Sequence, residues 1–324
     1  MTRRLWLVLM LSLLAVGCNN GARSERAEAP KPTAGSSTAT ALASATPSAT
    51  PTVTPLRLLT YNVLASPIFP QLRREAVFAV LKASKADIIA LQEVPRWMLK
   101  PLVEQPWVRR DYQVTPAPGG VPYAPGGQLI ISRHPIERTA ADVLVGKQSR
   151  TVLVAQLRID GRVLAVATSH LESYLEDGPM RARQLDAIFP MLAGADDAVL
   201  MGDLNFGDGA KPETDHLDAS YVDVWTVLQP GKPGFTWNNE ENPMARIGAF
   251  AKEPSRRLDR ILVRSTHWRP TSVRIIGNQS AGERKLTLRD RAMIEMPERR
   301  QPDAGEPNIA VFPSDHYGVM VELE

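Results

Sequence analysis

From Leu56 onward the chain repeats one device: a short run of Val, Ile and Leu that ends on, or is interrupted by, a carboxylate, an amide or an imidazole. Eight such runs read as strands: Leu56–Tyr61, Asp87–Leu91, Gln128–Ser132, Val152–Ile159, Val163–Ser169, Ala198–Met201, Arg260–Val263 and Val319–Leu323. Each is closed by polar residues and is shorter than the roughly ten residues of a buried helix. Asp160-Gly161, between two of them, is a tight hairpin signal. Helical periodicity is clear at Gln71–Ser84, with Leu72, Ala76, Ala79 and Val80 on one face, and at Met180–Leu192, with Leu185, Ile188, Phe189 and Leu192. Many strands with few helices between them bury their apolar faces in layers. The expectation is one α/β domain over 56–324 with sheet packed on sheet.

The residues before Leu56 obey other rules. Arg3 and Arg4 precede an apolar run from Leu5 to Val16 broken only by Ser12. A helical span of a bilayer needs about 20 apolar residues, so residues 1–18 read as a secretory signal segment rather than an anchor. The run ends Leu14-Ala15-Val16-Gly17-Cys18, small residues directly before the chain's one cysteine. This resembles a bacterial lipoprotein signal, which implies lipidation of Cys18, export, and attachment to a membrane of the cell envelope. A single cysteine also excludes an internal disulfide framework and a Cys-based zinc site. Residues 19–55 read as a disordered tether: from Ala29 to Pro55 all but Lys31, Leu42 and Val53 are Ala, Ser, Thr, Pro or Gly. Charge follows the same division. Residues 1–55 hold five basic and two acidic residues, which leaves 38 − 5 = 33 basic and 35 − 2 = 33 acidic residues beyond them. The net charge of the folded part is zero and does not by itself argue for nucleic acid. Residues 252–300 are locally basic, beginning with Arg256, Arg257, Arg260 and Arg264. No protein partner is indicated.

The polar residues at the strand ends carry the chemistry. Asn62, Glu93, His170, Asp203, Asn205 and the Ser314-Asp315-His316 segment adjoin apolar runs, and Asp259 precedes one. Strand ends far apart in sequence converge when they share one edge of a sheet. Glu93, Asp203, Asp259 and Asp315 would then repel one another unless a cation or a proton sat among them. Oxygen ligands without cysteine suit Mg²⁺ or Mn²⁺ better than zinc. A hard cation beside imidazoles suits the negatively charged transition state of phosphate-ester hydrolysis.

Six segments stand in a telling order: Thr60-Tyr61-Asn62, Leu91-Gln92-Glu93-Val94, Ser169-His170-Leu171-Glu172-Ser173, Gly202-Asp203-Leu204-Asn205, Leu258-Asp259-Arg260-Ile261 and Ser314-Asp315-His316. Together they resemble the motif series of the endonuclease/exonuclease/phosphatase superfamily and span nearly all of 56–324. The resemblance implies a four-layer α/β/β/α sandwich of two mainly antiparallel sheets flanked by helices, of the deoxyribonuclease I type, and a Mg²⁺-dependent phosphodiesterase. Ser-His-Leu-Glu-Ser followed by a helix with Arg181 and Arg183, then Val222-Asp223-Val224-Trp225 and Thr236-Trp237, is similar to the 5′-tyrosyl-DNA phosphodiesterases within it. Nucleic acid is therefore the leading substrate; sphingomyelinases and inositol phosphatases share the fold and remain alternatives.

Roles follow from the resemblance, residue by residue. Glu93 resembles the principal metal ligand, with Asn62 beside it. Asp203 resembles the group that orients or deprotonates the attacking water, and Asn205 one that holds the phosphate. His316 is general base or phosphate stabiliser, oriented by Asp259; which residue is the base stays open. His170 bonds a phosphate oxygen or assists the leaving group. Asp315 binds a second metal or holds its neighbours. Trp237 and Arg181 are candidate substrate contacts. A Ser314–His316–Asp259 acyl-hydrolase triad would lack a Gly-x-Ser-x-Gly elbow and leave Glu93, Asp203 and Asn205 unexplained. A catalytically retired binding lipoprotein is disfavoured because every motif residue is present.

Overall fold

Side chains along a strand point alternately to opposite faces, and this alternation sets the layering. The computed structural model describes residues 54–116, 124–246, 250, 252–287 and 308–324. The signal segment, Cys18 and the tether as far as Val53 lie outside the described residues. In chain order the elements are β1 (Leu56–Asn62), α1 (Pro70–Ser84), β2 (Ile88–Gln92), α2 (Arg96–Val103), α3 (Pro106–Asp111), β3 (Gln113–Val114), β4 (Leu129–Ser132), β5 (Ile136–Val143), β6 (Thr151–Ile159) and β7 (Arg162–His170). They continue with α4 (Gly178–Leu192), β8 (Asp197–Asp203), β9 (Val222–Asp223), α5 (Val224–Leu228), β10 (Asp259–Arg264), β11 (Pro270–Ile276), β12 (Glu283–Lys285), β13 (Asn308–Ala310) and β14 (Gly318–Leu323).

Two six-stranded sheets form, ordered β11-β14-β1-β2-β4-β3 and β5-β6-β7-β8-β10-β9. Each contains one parallel pair, β1 with β2 and β7 with β8, among antiparallel neighbours. Leu58, Ile88 and Val319 of the first sheet pack between the sheets on Val166, Val199 and Ile261 of the second. Their neighbours in sequence face outward: Leu59, Ile89 and Met320 meet Val77, Leu81 and Met98 of the helices. Ala167 and Leu200 meet Leu185 and Ile188 of α4. The layering is helix, sheet, sheet, helix, as expected.

All eight sequence-read strands and both helices are present. The Asp160-Gly161 turn joins β6 to β7 with both residues at positive φ, as a tight hairpin turn requires. β5 and β11 escaped the sequence reading because they are edge strands in which polar residues interrupt the apolar ones, β5 being mostly exposed; β11 opens on Pro270, where a missing N–H costs an edge strand little. The buried face of α1 also differs from the expected one. It runs through Arg73, Val77, Phe78, Leu81 and Ser84, with Ala79 exposed, because an arginine turns inward.

Candidate active site

The two parallel pairs decide where the motifs meet. In β1 and β2, Asn62 lies opposite Gln92, so Glu93 emerges beside Asn62. In β7 and β8, His170 lies opposite Asp203, and antiparallel β10 begins at Asp259 opposite the same Asp203. Antiparallel β14 starts just after His316. Six motifs thus reach one edge of the stacked sheets. Gly202 is needed there: a Cβ would stand 2.1 Å from the Ser169 carbonyl oxygen of β7.

Asp203, fully buried, sits at the centre. Its Oδ2 accepts from Asn62 Nδ2 at 2.9 Å and lies 3.3 Å from His170 Nε2 and 3.6 Å from His316 Nε2. His316 Nδ1 is 2.8 Å from Asp259 Oδ2, and Asp259 is itself held by Thr236 Oγ1, which accepts its backbone N–H. Asn62 Nδ2 also donates to Glu93 Oε1 at 3.1 Å, while Glu93 Oε2 accepts the Ala65 amide at 2.8 Å. His170 Nδ1 lies 3.5 Å from Glu93 Oε1. Glu93 and Asn205 adopt positive φ (56° and 57°) at the strand ends, a conformation uncommon outside glycine and concentrated at functional sites. Asn205 Nδ2 donates to the Leu171 carbonyl. Trp237 lines the cleft with its ring edge-on to His316 at 5.1 Å.

The two imidazoles differ. Burial pulls both down; at His316 the carboxylates of Asp259 and Asp203 outweigh it and lift the ring well above its ordinary value. At His170 burial prevails and the ring is pulled below it. The surroundings thus favour the cation at His316 and the neutral ring at His170. Burial pushes Asp203 and Glu93 up, but the histidines, with hydrogen bonds from Asn62 and Ala65, bring both below the carboxylate range.

The donor set fits a hard divalent ion. Glu93 and Asp315 line the same cleft, and burial, opposed by His316 and helped by Glu93, raises the Asp315 carboxyl to about 6. Asp203, Asp259 and His316 offer ligand atoms within 4.8 Å of one another, and Asp259 Oδ1 is buried without a hydrogen-bond partner.

Arg181 is a correction. It does not line the cleft; it lies on the buried face of α4, its Nε donating to Glu213 at 2.7 Å and its Nη atoms to the Glu172, Tyr174 and Leu175 carbonyls. Two arginines of the basic stretch are likewise internal: Arg257 and Arg260 are buried and paired with Asp208 and Asp223. Sequence reading also passed over Arg73, which donates to the carbonyls of Val63, Leu64, Ser66, Ile68 and Pro313, joining the loop after Asn62 to the one before Asp315. Its signal was an arginine on the apolar side of an amphipathic helix. Ser173, Phe250, Glu253, Arg256 and Leu258 complete the cleft lining.

Residues 59–316 match the model of the Endonuclease/Exonuclease/phosphatase family. The chain belongs to that family. Among endonuclease/exonuclease/phosphatase relatives, tyrosyl-DNA phosphodiesterase 2 of Rattus norvegicus is 29% identical over 185 residues, 55% of this chain and 42% of that protein. The Danio rerio protein of the same name is 32% identical over 127 residues, 37% of this chain and 33% of its own. The chain spans less than half the length of these curated relatives. Among solved structures, D. rerio TDP2 complexed with single strand DNA product superposes with a TM-score of 0.61 at 20% identity, covering 83% of this chain and 99% of that one. Sphingomyelinase C from Streptomyces griseocarneus superposes with a TM-score of 0.61 at 18% identity, with the same coverage. These likenesses establish the deoxyribonuclease I-like fold.

Proposed function

We propose that this chain is an exported, lipid-anchored phosphodiesterase that uses Mg²⁺, with Mn²⁺ as a substitute, and cleaves phosphodiesters of nucleic acid. The observation that carries the reading is Asp203, one carboxylate oxygen set between two buried imidazoles, of which His316 is also paired with Asp259. Glu93 and Asp315 would hold the metal, which supplies positive charge to the non-bridging phosphate oxygens. Asp203, ionised, orients the water and takes its proton as oxygen attacks phosphorus. His316, held cationic by Asp259, faces the anionic phosphate, and neutral His170 donates a hydrogen bond to it. The bond from phosphorus to the leaving oxygen breaks, that oxygen takes the proton of cationic His316, and the proton that Asp203 took from water restores His316 across 3.6 Å. The tyrosyl-DNA phosphodiesterase relatives favour a nucleic-acid end as substrate.

The test is cleavage by the purified chain, with Mg²⁺ and with EDTA, of plasmid DNA, single-stranded DNA, a 5′-phosphotyrosyl oligonucleotide, an inositol polyphosphate and sphingomyelin. Metal-dependent cleavage of an oligonucleotide is expected; sphingomyelin alone would transfer the assignment to the lipid, and inactivity of metal-bound protein on all five would refute it. Glu93→Gln is expected to raise the Mg²⁺ needed for half-maximal rate by at least about 10–100-fold, the loss typical of even an outer ligand partner. An unchanged requirement would remove Glu93 from the metal site. For the anchor, Cys18→Ser is expected to move the protein from the membrane pellet to the soluble fraction; continued sedimentation with membranes counts against lipidation there.

A further inference from the structure

The site is divided between two sheets. Asn62 and Glu93 hang from the first, and Asp315 and His316 lead into it; His170, Asp203, Asn205 and Asp259 belong to the second. Beneath the site the sheets meet through apolar side chains such as Ala90, Val166 and Met201, whose attraction has no direction. A catalytic constellation tolerates errors of only about 0.5 Å. Within the site Asn62 bonds Asp203, and His316 meets Asp259, across the same gap; beneath it a further directional contact lies outside the reacting groups.

We propose that Gln92 is a positioning residue, a strut fixing the first sheet's metal ligands against the second sheet's histidine. Its side chain is fully buried and its Nε2 donates both to Thr60 Oγ1 of β1 at 3.0 Å and, across the gap, to Thr168 Oγ1 of β7 at 2.8 Å. Both ends adjoin the chemistry. Glu93 is the next residue after Gln92, and Thr168 shares a sheet face with His170, two residues on. Gln92 Oε1 is buried without a partner, a cost that an apolar side chain of equal volume would avoid, so this amide is present for placement rather than for stability. The inference rests on the metal-site reading above.

The experiment measures Mn²⁺ binding to the metal-stripped full chain, Mg²⁺-dependent kcat and KM, and the unfolding temperature. Gln92→Met keeps volume and loses both bonds; Thr168→Val loses only the bond across the gap; Thr168→Ser keeps it; Thr60→Val loses only the bond within the first sheet. Gln92→Met and Thr168→Val are expected to weaken Mn²⁺ binding and lower kcat by about ten-fold or more, with KM unchanged. Thr168→Ser and Thr60→Val are expected to match the parent protein, and all four to unfold at near-parental temperature. Should Gln92→Met fail to fold, Thr168→Val against Thr168→Ser decides. Parental Mn²⁺ affinity and kcat in Thr168→Val overturn the strut alone. A parent protein that neither binds Mn²⁺ nor cleaves with Mg²⁺ overturns the site reading, and the strut with it.

Discussion

Asp203→Asn is expected to lower turnover by about 10²–10⁴-fold at saturating Mg²⁺, the range of a positioned general base. Asparagine keeps the shape of aspartate but cannot take a proton from water. The carboxylate it replaces is fully buried and held below its usual range by two histidines and the Asn62 amide, so it is ionised throughout the neutral range. Asp203 Oδ1 also accepts the Asn205 backbone N–H at 3.1 Å, which an amide oxygen can continue to do, so the fold is expected to survive. His316→Ala should cost a similar factor, because it removes the cation that Asp259 holds at the phosphate. The double variant should be little worse than either single one, since groups that act as a unit are not additive. Steady-state kinetics with a check of native spectrum decides the matter. A rate for Asp203→Asn within ten-fold of the parent would exclude Asp203 from proton transfer.

The second large effect is on stability. Arg181→Ala is expected to destabilise the protein by about 3–5 kcal/mol, the typical cost of breaking a buried ion pair. Arg181 and Glu213 are both about 97% buried or more; Arg181 holds Glu213 Oε1, and Oε2 has no hydrogen-bond partner, so removing the guanidinium strands a carboxylate in the interior. Three carbonyls of the loop from Glu172 to Leu175 lose their donor as well. Replacing both residues by leucine should recover most of the loss, because no buried charge is then left uncompensated. Denaturant midpoints measure both variants. A change below about 1 kcal/mol in Arg181→Ala would mean an exposed arginine, and would return it to the candidate substrate contacts.

Those two residues illustrate what can be read in a line of sequence. Asp203 was legible because it ends an apolar strand within Gly-Asp-Leu-Asn, and a carboxylate at that point has no role in packing. Arg181 was misread for the converse reason. On a helix with two arginines, Arg181 and Arg183, nothing local distinguishes the one facing inward, and its partner Glu213 lies 32 residues away in a segment without periodicity. Arg257 and Arg260 look like a basic surface until Asp208 and Asp223 are seen beside them.

The sequence by itself determined the layered α/β class, most strands, the two principal helices and the residues gathered at the cleft. Apolar period and strand-terminal polarity are local properties, and they survive folding unchanged. Only the tertiary structure decided that Asp203 stands between two histidines, that the surroundings favour the cation at His316 and the neutral ring at His170, and that Gln92 bridges the sheets. It also decided that Arg73 and Arg181 serve the interior. Distance, burial and protonation arise between residues far apart in the chain, and they exist only once the two sheets have closed on each other.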